Sequence, residues 1–365
     1  MHSQACKTER DKRDGLRRLH CNYDGDWEQN MSDPKQFFAQ FLDERQRAGD
    51  IDPGLVRVLG DIAAACGEIA AAISRGNLEG TMGSLQSQNV QGEVQKQLDV
   101  IANDIFLRRA SASGHVAGMA SEEMEAPCEM AREIPSAGAS RYLLLFDPLD
   151  GSSNVNVNIS VGTIFSVLRC PDEVVEPALA HFLRAGSEQI CAGYALYGTS
   201  TMLVLTTGHG VDGFTLDPAS GEFVLTHPAM RIAVDSTEFA VNMSNYRFWE
   251  APVQRYIDEC LQGAEGRRRK DFNMRWVASM VAEVHRILVR GGLFMYPMDS
   301  KIRKQGGKLR LLYEANPMSF IVEQAGGAAS TGRGRILDIV PTALHQRVPV
   351  ILGAHNEVAL LDSYH

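Results

Sequence analysis

Five apolar residues, Tyr142 to Phe146, run without a break into two aspartates in the stretch YLLLFDPLDGSSN. The apolar run reads as a buried strand. Two carboxylates at the end of such a strand repel each other, so an isolated pair is costly. A chain that keeps both there needs something positive between them. Pro148 fixes one dihedral and has no N–H, which stiffens the turn between Asp147 and Asp150. Gly151 lets the backbone turn sharply. The amides that follow, with the hydroxyls of Ser152 and Ser153, can then face an anion, as in a nest or a helix N-terminus. Carboxylates beside anion-binding amides point to a hard cation shared with a phosphate. An Asp-Pro turn with capping serines accounts for the same letters equally well.

More acid lies near in sequence. Glu122 and Glu123 follow HVAGMAS, a segment that can end as a strand, and Glu93 and Asp99 lie along NVQGEVQKQLD. Each alone reads as solvated surface. Together they supply oxygens for two or three divalent ions. The net charge of −9 argues against broad nucleic-acid or anionic-membrane binding. No apolar run reaches the roughly 18 residues of a membrane span. The seven cysteines are odd in number, widely spaced and without a Cys-x-x-Cys, so a disulfide framework or structural zinc is not expected and a reducing cytoplasm fits.

Strand and helix signals alternate along the chain, so a layered α/β or α+β architecture is expected. Residues 52–75 make the clearest helix. Asp52 caps it, Pro53 suits its first position, and Gly76 ends it. Leu55, Leu59, Ile62, Cys66, Ile69 and Ile73 give it one buried face. A second helix is expected over 93–109, a loop over 124–140, and strands over 142–146 and 160–169. Residues 194–206 and 212–226 alternate like hairpin strands, with DPASGE as a turn. Trp276 to Val289 reads as an apolar helix stopped by Gly291-Gly292, LFMYP and KLRLLY as strands, and Pro317 to Gln324 as a helix. The expected organisation is an extension over residues 1–30, disordered or mis-started and without a signal-peptide core. An N-terminal domain over 31–230 carries most of the metal ligands, and a C-terminal substrate-binding domain covers 231–365.

FDPLDGSSN together with GKLRLLYEANPMSFIVEQAGG (Gly307 to Gly327) resembles the class I fructose-1,6-bisphosphatases. SEE at 121–123, GYALYG at 193–198, SMVAEVHR at 279–286 and GGLFMYP at 291–297 match as well, so the resemblance runs from about 33 to 357. It implies a five-layer α/β/α/β/α sandwich, usually a homotetramer, using Mg²⁺ or Mn²⁺. Carried over by position, Glu122, Asp147, Asp150 and Glu314 are implied metal ligands with the Leu149 carbonyl, and Glu93 reaches another metal. Asp99 and Glu123 match the pair that orients or deprotonates the attacking water. Arg310 belongs beside the metals and the transferring phosphate. Asp150, Gly151, Ser152 and Ser153 contact the substrate at its reacting end, and Asn242, Tyr296 and Lys308 contact the rest of the sugar bisphosphate. Arg275 matches an arginine that reaches a neighbouring subunit's distal phosphate. Without the resemblance, a strand end is only the lesser reading of Tyr296, whereas Lys308 reads as a solvated lysine, and His285 as a structural histidine on an apolar helix.

The implied reaction removes the 1-phosphate of fructose 1,6-bisphosphate, in gluconeogenesis or carbon fixation. An enzyme that also takes sedoheptulose 1,7-bisphosphate is the alternative, and a non-catalytic phosphosugar-binding regulator is a more distant one. Departures from the family lie elsewhere. Trp276 stands where many members have tyrosine, and Asn245-Tyr246 replaces a different segment. The 124–140 loop is longer than in animal enzymes. The turn that cradles the AMP phosphate in AMP-inhibited members is here RAGDIDPGL, with two aspartates and no threonine. Arg141, Tyr142 and Arg169 fall at other AMP-contact positions. Cys170 and Cys191 flank the region of a redox loop without its spacing, and read as inert small hydrophobes.

Overall fold

The strand Tyr142–Asp150, β5 in chain order, shows why the apolar run is continuous. In the computed structural model, which describes residues 35–79, 84–88, 94–112, 114–129 and 140–365, the run lies inside a sheet covered on both faces. Tyr142, Leu144 and Phe146 join one core cluster, and Leu143 and Leu145 join another. A strand buried on both sides has no face to give to polar residues.

The first half begins with helices α1 (Phe38–Ala48) and α2 (Pro53–Glu79). A small hairpin, β1 (Ser84–Gln88) and β2 (Val94–Lys96), precedes α3 (Gln97–Ala110). Then come β3 (Val116–Ser121), β4 (Cys128–Glu129), β5 (Tyr142–Asp150), β6 (Val161–Arg169), β7 (Cys191–Tyr197), β8 (Thr201–Thr206), β9 (Asp212–Asp217) and β10 (Glu222–His227). Among the described residues these last eight form one sheet in the order β10-β9-β8-β7-β6-β5-β3-β4. It is antiparallel except where β3 runs parallel to β5.

The second half contributes β11 (Glu238–Val241), α4 (Ala251–Leu261), β12 (Asn273–Met274), α5 (Met280–Arg290), β13 (Leu293–Tyr296), β14 (Leu309–Arg310), α6 (Asn316–Gln324), β15 (Ala328–Ser330), β16 (Arg347–Val348), β17 (Val350–Gly353) and α7 (His355–Asp362). A five-stranded sheet has the order β12-β11-β13-β17-β15. Three core clusters stack the layers. One joins α1, α2 and α3 to the first sheet. The next joins Ile164, Tyr194 and Val204 of the first sheet, through Val281 and Ile287 of α5 and Ile321 of α6, to Phe294 and Leu352 of the second. The third lays Val253 and Ile257 of α4 and Leu361 of α7 on the outer face of the second sheet. The result is the expected α/β/α/β/α stack, within a compact unit spanning Phe37–His365.

Some boundaries differ from the sequence reading. Helix α2 passes Gly76 and ends at Glu79, since an interior glycine costs a helix only about 1 kcal/mol. Residues 94–96 pair as a strand, so the second helix starts at Gln97. Strand β5 runs four residues beyond Phe146, through both aspartates. The segment 194–206 is itself a hairpin of β7 and β8, and DPASGE joins β9 to β10. Trp276 to Ala278 stay outside α5, which Ser279 caps. KLRLLY is a strand only at Leu309–Arg310, after which Leu311–Ala315 widen into a π-helical turn.

Candidate active site

Residues three apart on a regular strand point to opposite faces. Asp147 and Asp150 escape this because β5 carries one extra residue. Asp147 pairs with Ile164 and Asp150 with Gly162, so three steps on β5 face two on β6, as in a β-bulge. Leu149 N–H donates to Asp147 Oδ1 at 2.9 Å, and Thr163 Oγ1 donates to the Pro148 carbonyl at 2.8 Å, fixing the bulge. Glu314 arrives from the π-helical turn between β14 and α6, a distortion frequent at functional sites. One carboxylate oxygen from each of Asp147, Asp150 and Glu314 lies within 4.8 Å of the others, and all three residues are buried.

The electrostatics of this cage are strained. Burial pushes the Asp147 carboxyl well above the usual range, and Glu122, Asp150 and Glu314 push it further. Asp150 is raised to about 7, first by burial and then by Glu314. Glu122 is raised by burial, opposed by Arg310, with which it forms an ion pair. Arg310 also lies 3.7 Å from Glu314 through Nη1, and its backbone N–H donates to Glu314 Oε2 at 2.6 Å. Glu122 thus borders the cage while leaning on the arginine. An all-oxygen, buried, electron-rich donor set fits a hard divalent cation.

Asp99 is buried in the first turn of α3. One turn along that helix, Asn103 accepts from Ser121 Oγ at 2.7 Å, and Ser121 Oγ accepts from the Glu123 N–H at 3.2 Å. Helix α3 therefore carries one carboxylate and steadies the turn that carries the other. Glu93, and residues 130–139 of the expected loop, lie outside the described residues.

Gly151 adopts φ +75°, and a Cβ there would lie 2.9 Å from that of Ser279, so glycine is required twice over. Ser152 and Ser153 open the 3₁₀ turn Ser152–Val157. Tyr296 is raised to about 12 by burial and then by the charges of Asp150 and Glu314. Trp276 packs edge-on against it at 5.4 Å. Lys308 is exposed just before β14. Asn242 caps the 3₁₀ turn Met243–Phe248, accepting from Ser244 N–H at 3.2 Å. Arg275 is half-exposed, with Nε 3.7 Å from the buried Glu238. The Tyr246 hydroxyl donates to Asp258 at 2.8 Å. His285 is a half-buried partner of the Tyr194 hydroxyl at 3.0 Å, held down at about 4 by partial burial, as a structural histidine should be. Cys170 and Cys191 are buried and free.

Family models for the N-terminal and C-terminal domains of fructose-1-6-bisphosphatase match residues 37–228 and 232–365. The chain belongs to the fructose-1,6-bisphosphatase family. It is 59% identical over 327 residues to the class 1 fructose-1,6-bisphosphatase of Methylobacillus flagellatus, covering 90% of this chain and 97% of that relative. The holo crystal structure of Leishmania major fructose-1,6-bisphosphatase matches with a TM-score of 0.82 at 39% identity, over 91% of this chain and 99% of the other. The apo form of the same enzyme matches at 0.78.

One residue of this fructose-1,6-bisphosphatase fold escaped the sequence reading. Ser279 Oγ donates to Asp150 Oδ2 at 3.0 Å. Its signal was a serine directly ahead of an apolar helical repeat, the mark of an N-cap. Extending the helix back to Trp276 concealed it.

Proposed function

We infer that this chain hydrolyses the 1-phosphate of fructose 1,6-bisphosphate to fructose 6-phosphate and phosphate, with Mg²⁺ as its ion and Mn²⁺ able to substitute. The observation that carries this reading is the buried Asp147–Asp150–Glu314 cage, beside Arg310, in a member of this family. Asp147, Asp150, Glu314 and Glu122, with the Leu149 carbonyl, would hold divalent ions, and Glu93 a further one. When bound, such ions neutralise phosphoryl oxygens, lower the pKa of water and stabilise the leaving alkoxide.

The chain's own groups do the rest. Gly151 and the amides and hydroxyls of Ser152 and Ser153 cradle the 1-phosphate. Arg310 faces its oxygens. Asp99 or Glu123 takes the proton from the attacking water as its oxygen bonds to phosphorus and the bond to the sugar oxygen breaks. Asn242, Tyr296 and Lys308 hold the sugar and its far phosphate, joined by Arg275 from a neighbouring subunit in a homotetramer. The halves meet near residue 230, the first carrying most metal ligands and the second most sugar contacts. A cytoplasmic enzyme of gluconeogenesis or carbon fixation fits this chemistry. Among the described residues no helix is long and apolar enough to cross a membrane.

The test is phosphate release from purified protein with Mg²⁺, fructose 1,6-bisphosphate and sedoheptulose 1,7-bisphosphate being compared. Release from the first at the higher kcat/KM supports the reading. Equal rates would make it a dual enzyme. No release from either, with binding retained, would leave a regulator.

A further inference from the structure

Asp150 stands between two jobs, closing the metal cage and flanking the sugar side. What fixes its carboxylate is the start of α5, a long way on in sequence. Ser279 Oγ donates to Asp150 Oδ2 at 3.0 Å, and the Val281 N–H donates to the same oxygen at 2.9 Å. Two donors on one oxygen hold the carboxyl group in place, within the cluster that it forms with Asp147 and Glu314. The N-terminal end of a helix also favours the charged form of the group it holds.

The backbone has been shaped for this approach. Gly162, opposite Asp150 across β5–β6, has no room for a Cβ, which would lie 2.2 Å from the Ala195 carbonyl of β7 and 2.7 Å from Val281 Cγ1 of α5. Gly151 similarly admits Ser279. The segment ahead of the helix is clamped from two sides. Asn154 Nδ2 donates to the carbonyls of Val277 and Ala278 at 3.2 and 3.3 Å, and the fully buried Glu283 accepts from the Val277 N–H. Ala278 is held at φ +62°, a conformation that a residue with a Cβ adopts only under such constraint. Asn154 lies in the 3₁₀ turn that directly follows Asp150, so the end of β5 with that turn and the start of α5 grip each other.

We propose that Ser279, with the Val281 amide, is a positioning residue for the Asp150 carboxylate, and that this grip sets the metal affinity of the cage. The same grip fixes the spacing between the cage and the Arg275–Trp276 side. The proposal rests on the reading of Asp150 as a metal ligand. Outer partners of metal ligands commonly change affinity or activity by roughly 10- to 100-fold when removed.

Three variants separate positioning from helix capping. Ser279→Ala loses both the bond to Asp150 and the cap on Ala282, where Oγ accepts from the N–H at 3.5 Å. Ser279→Gly loses the bond to Asp150 but remains a good cap. Ser279→Thr keeps the hydroxyl. Mn²⁺ affinity is measured by calorimetry without substrate, alongside kcat, KM and thermal melting. The expected result is Mn²⁺ binding weakened roughly 10- to 100-fold in both Ser279→Ala and Ser279→Gly, kcat at fixed Mn²⁺ falling with it, KM for the sugar bisphosphate little changed, and recovery in Ser279→Thr. Wild-type Mn²⁺ affinity in Ser279→Gly would overturn the proposal, and a melting loss confined to Ser279→Ala would then mark Ser279 as a cap alone. If the wild type binds Mn²⁺ yet releases no phosphate, the functional reading fails while the affinity series still decides this one.

Discussion

The two ends of strand β5 treat carboxylates in opposite ways. At its start, Asp52 is surrounded by donors. Its Oδ1 accepts from the Gly54 and Leu55 amides at 2.9 and 3.0 Å and from the Tyr142 hydroxyl, and its Oδ2 accepts from Arg169 at 2.9 Å. Burial works against its charge, yet these donors hold it down at about 2. At the other end, Asp147 and Asp150 meet other carboxylates, and both are raised. The two ends differ in burial, since the Asp52 side chain is 27% exposed whereas Asp147 and Asp150 are buried. They differ also in the balance of donors against neighbouring carboxylates. A carboxylate whose donors include an arginine and that faces no other carboxylate is structural, whereas Asp150, which meets Glu314 as well as its donors Ser279 and Val281, stays short of positive charge, as a ligand site does.

The most forceful way to break this contrast is at Asp150. Asp150→Asn keeps the shape and removes a charge from the cage. Turnover should fall by more than the roughly 100-fold that loss of an outer partner can cost, and EDTA should abolish activity in the wild type. Phosphate-release kinetics at several Mg²⁺ concentrations measure both. Near-normal turnover in excess EDTA would sink the metal reading.

The same substitution should have the opposite effect on stability without metal. In the folded chain Asp150 keeps its proton up to about pH 7, whereas an ordinary aspartate loses it near 3.8. Between these values the folded state binds more protons than the unfolded one, so this group's contribution to stability declines as pH rises. Asp150→Asn lacks that decline. In EDTA the variant should therefore melt above the wild type at pH 8 and approach it at pH 5. Histidine titrations are common to both chains and cancel. Saturating Mg²⁺ should restore the wild type's lead, because its cage holds the ion better. A variant that melts below the wild type in EDTA at pH 8 would show that the cage is not short of positive charge.

At the opposite end of β5 the sign reverses. Asp52→Ala removes a helix cap and an ion pair, and should destabilise by about 1–2 kcal/mol with little change in kcat. Its depressed pKa means that the Asp52 contribution is present above about pH 4 and disappears as pH falls toward 2. Denaturant titrations of wild type and variant at pH 7 and pH 3 check this, and a gap that does not narrow on acidification would contradict it.

The sequence told these two ends apart only in part. The apolar run, the paired aspartates and the cap at Asp52 could be read directly, because each is local. The stacked layers followed from alternating helix and strand signals together with the family resemblance. The bulge could not be read, since a period-2 pattern does not show where an extra residue enters. Nor could the π-helical turn that delivers Glu314, because KLRLLY carries strand-like residues and the distortion depends on packing with β5 and β16. Ser279 acts through a contact with a residue far back in the chain, which no local pattern encodes. Convergence is a tertiary fact, and only the resemblance anticipated it.

The smallest expected effect concerns AMP, and it sharpens the contrast most. In AMP-inhibited relatives the corner at the start of α2 holds a phosphate. Here the donors such a phosphate would need are already engaged. The first amides of α2 and the Tyr142 hydroxyl bind Asp52 Oδ1, Arg169 binds Oδ2, and Arg141 donates instead to the carbonyls of Val174 and Val175. Asp50, paired with Arg45 at 3.2 Å, adds a second negative charge at the same turn. A phosphate with nearly two charges would have to displace a resident carboxylate and then sit beside it, against like-charge repulsion. We therefore expect millimolar AMP to leave activity nearly unchanged at saturating substrate and Mg²⁺. A titration of phosphate release against AMP measures this. Cooperative inhibition below millimolar AMP would mean that the chain releases Asp52 on binding, and that the end of β5 read here as closed is open as well.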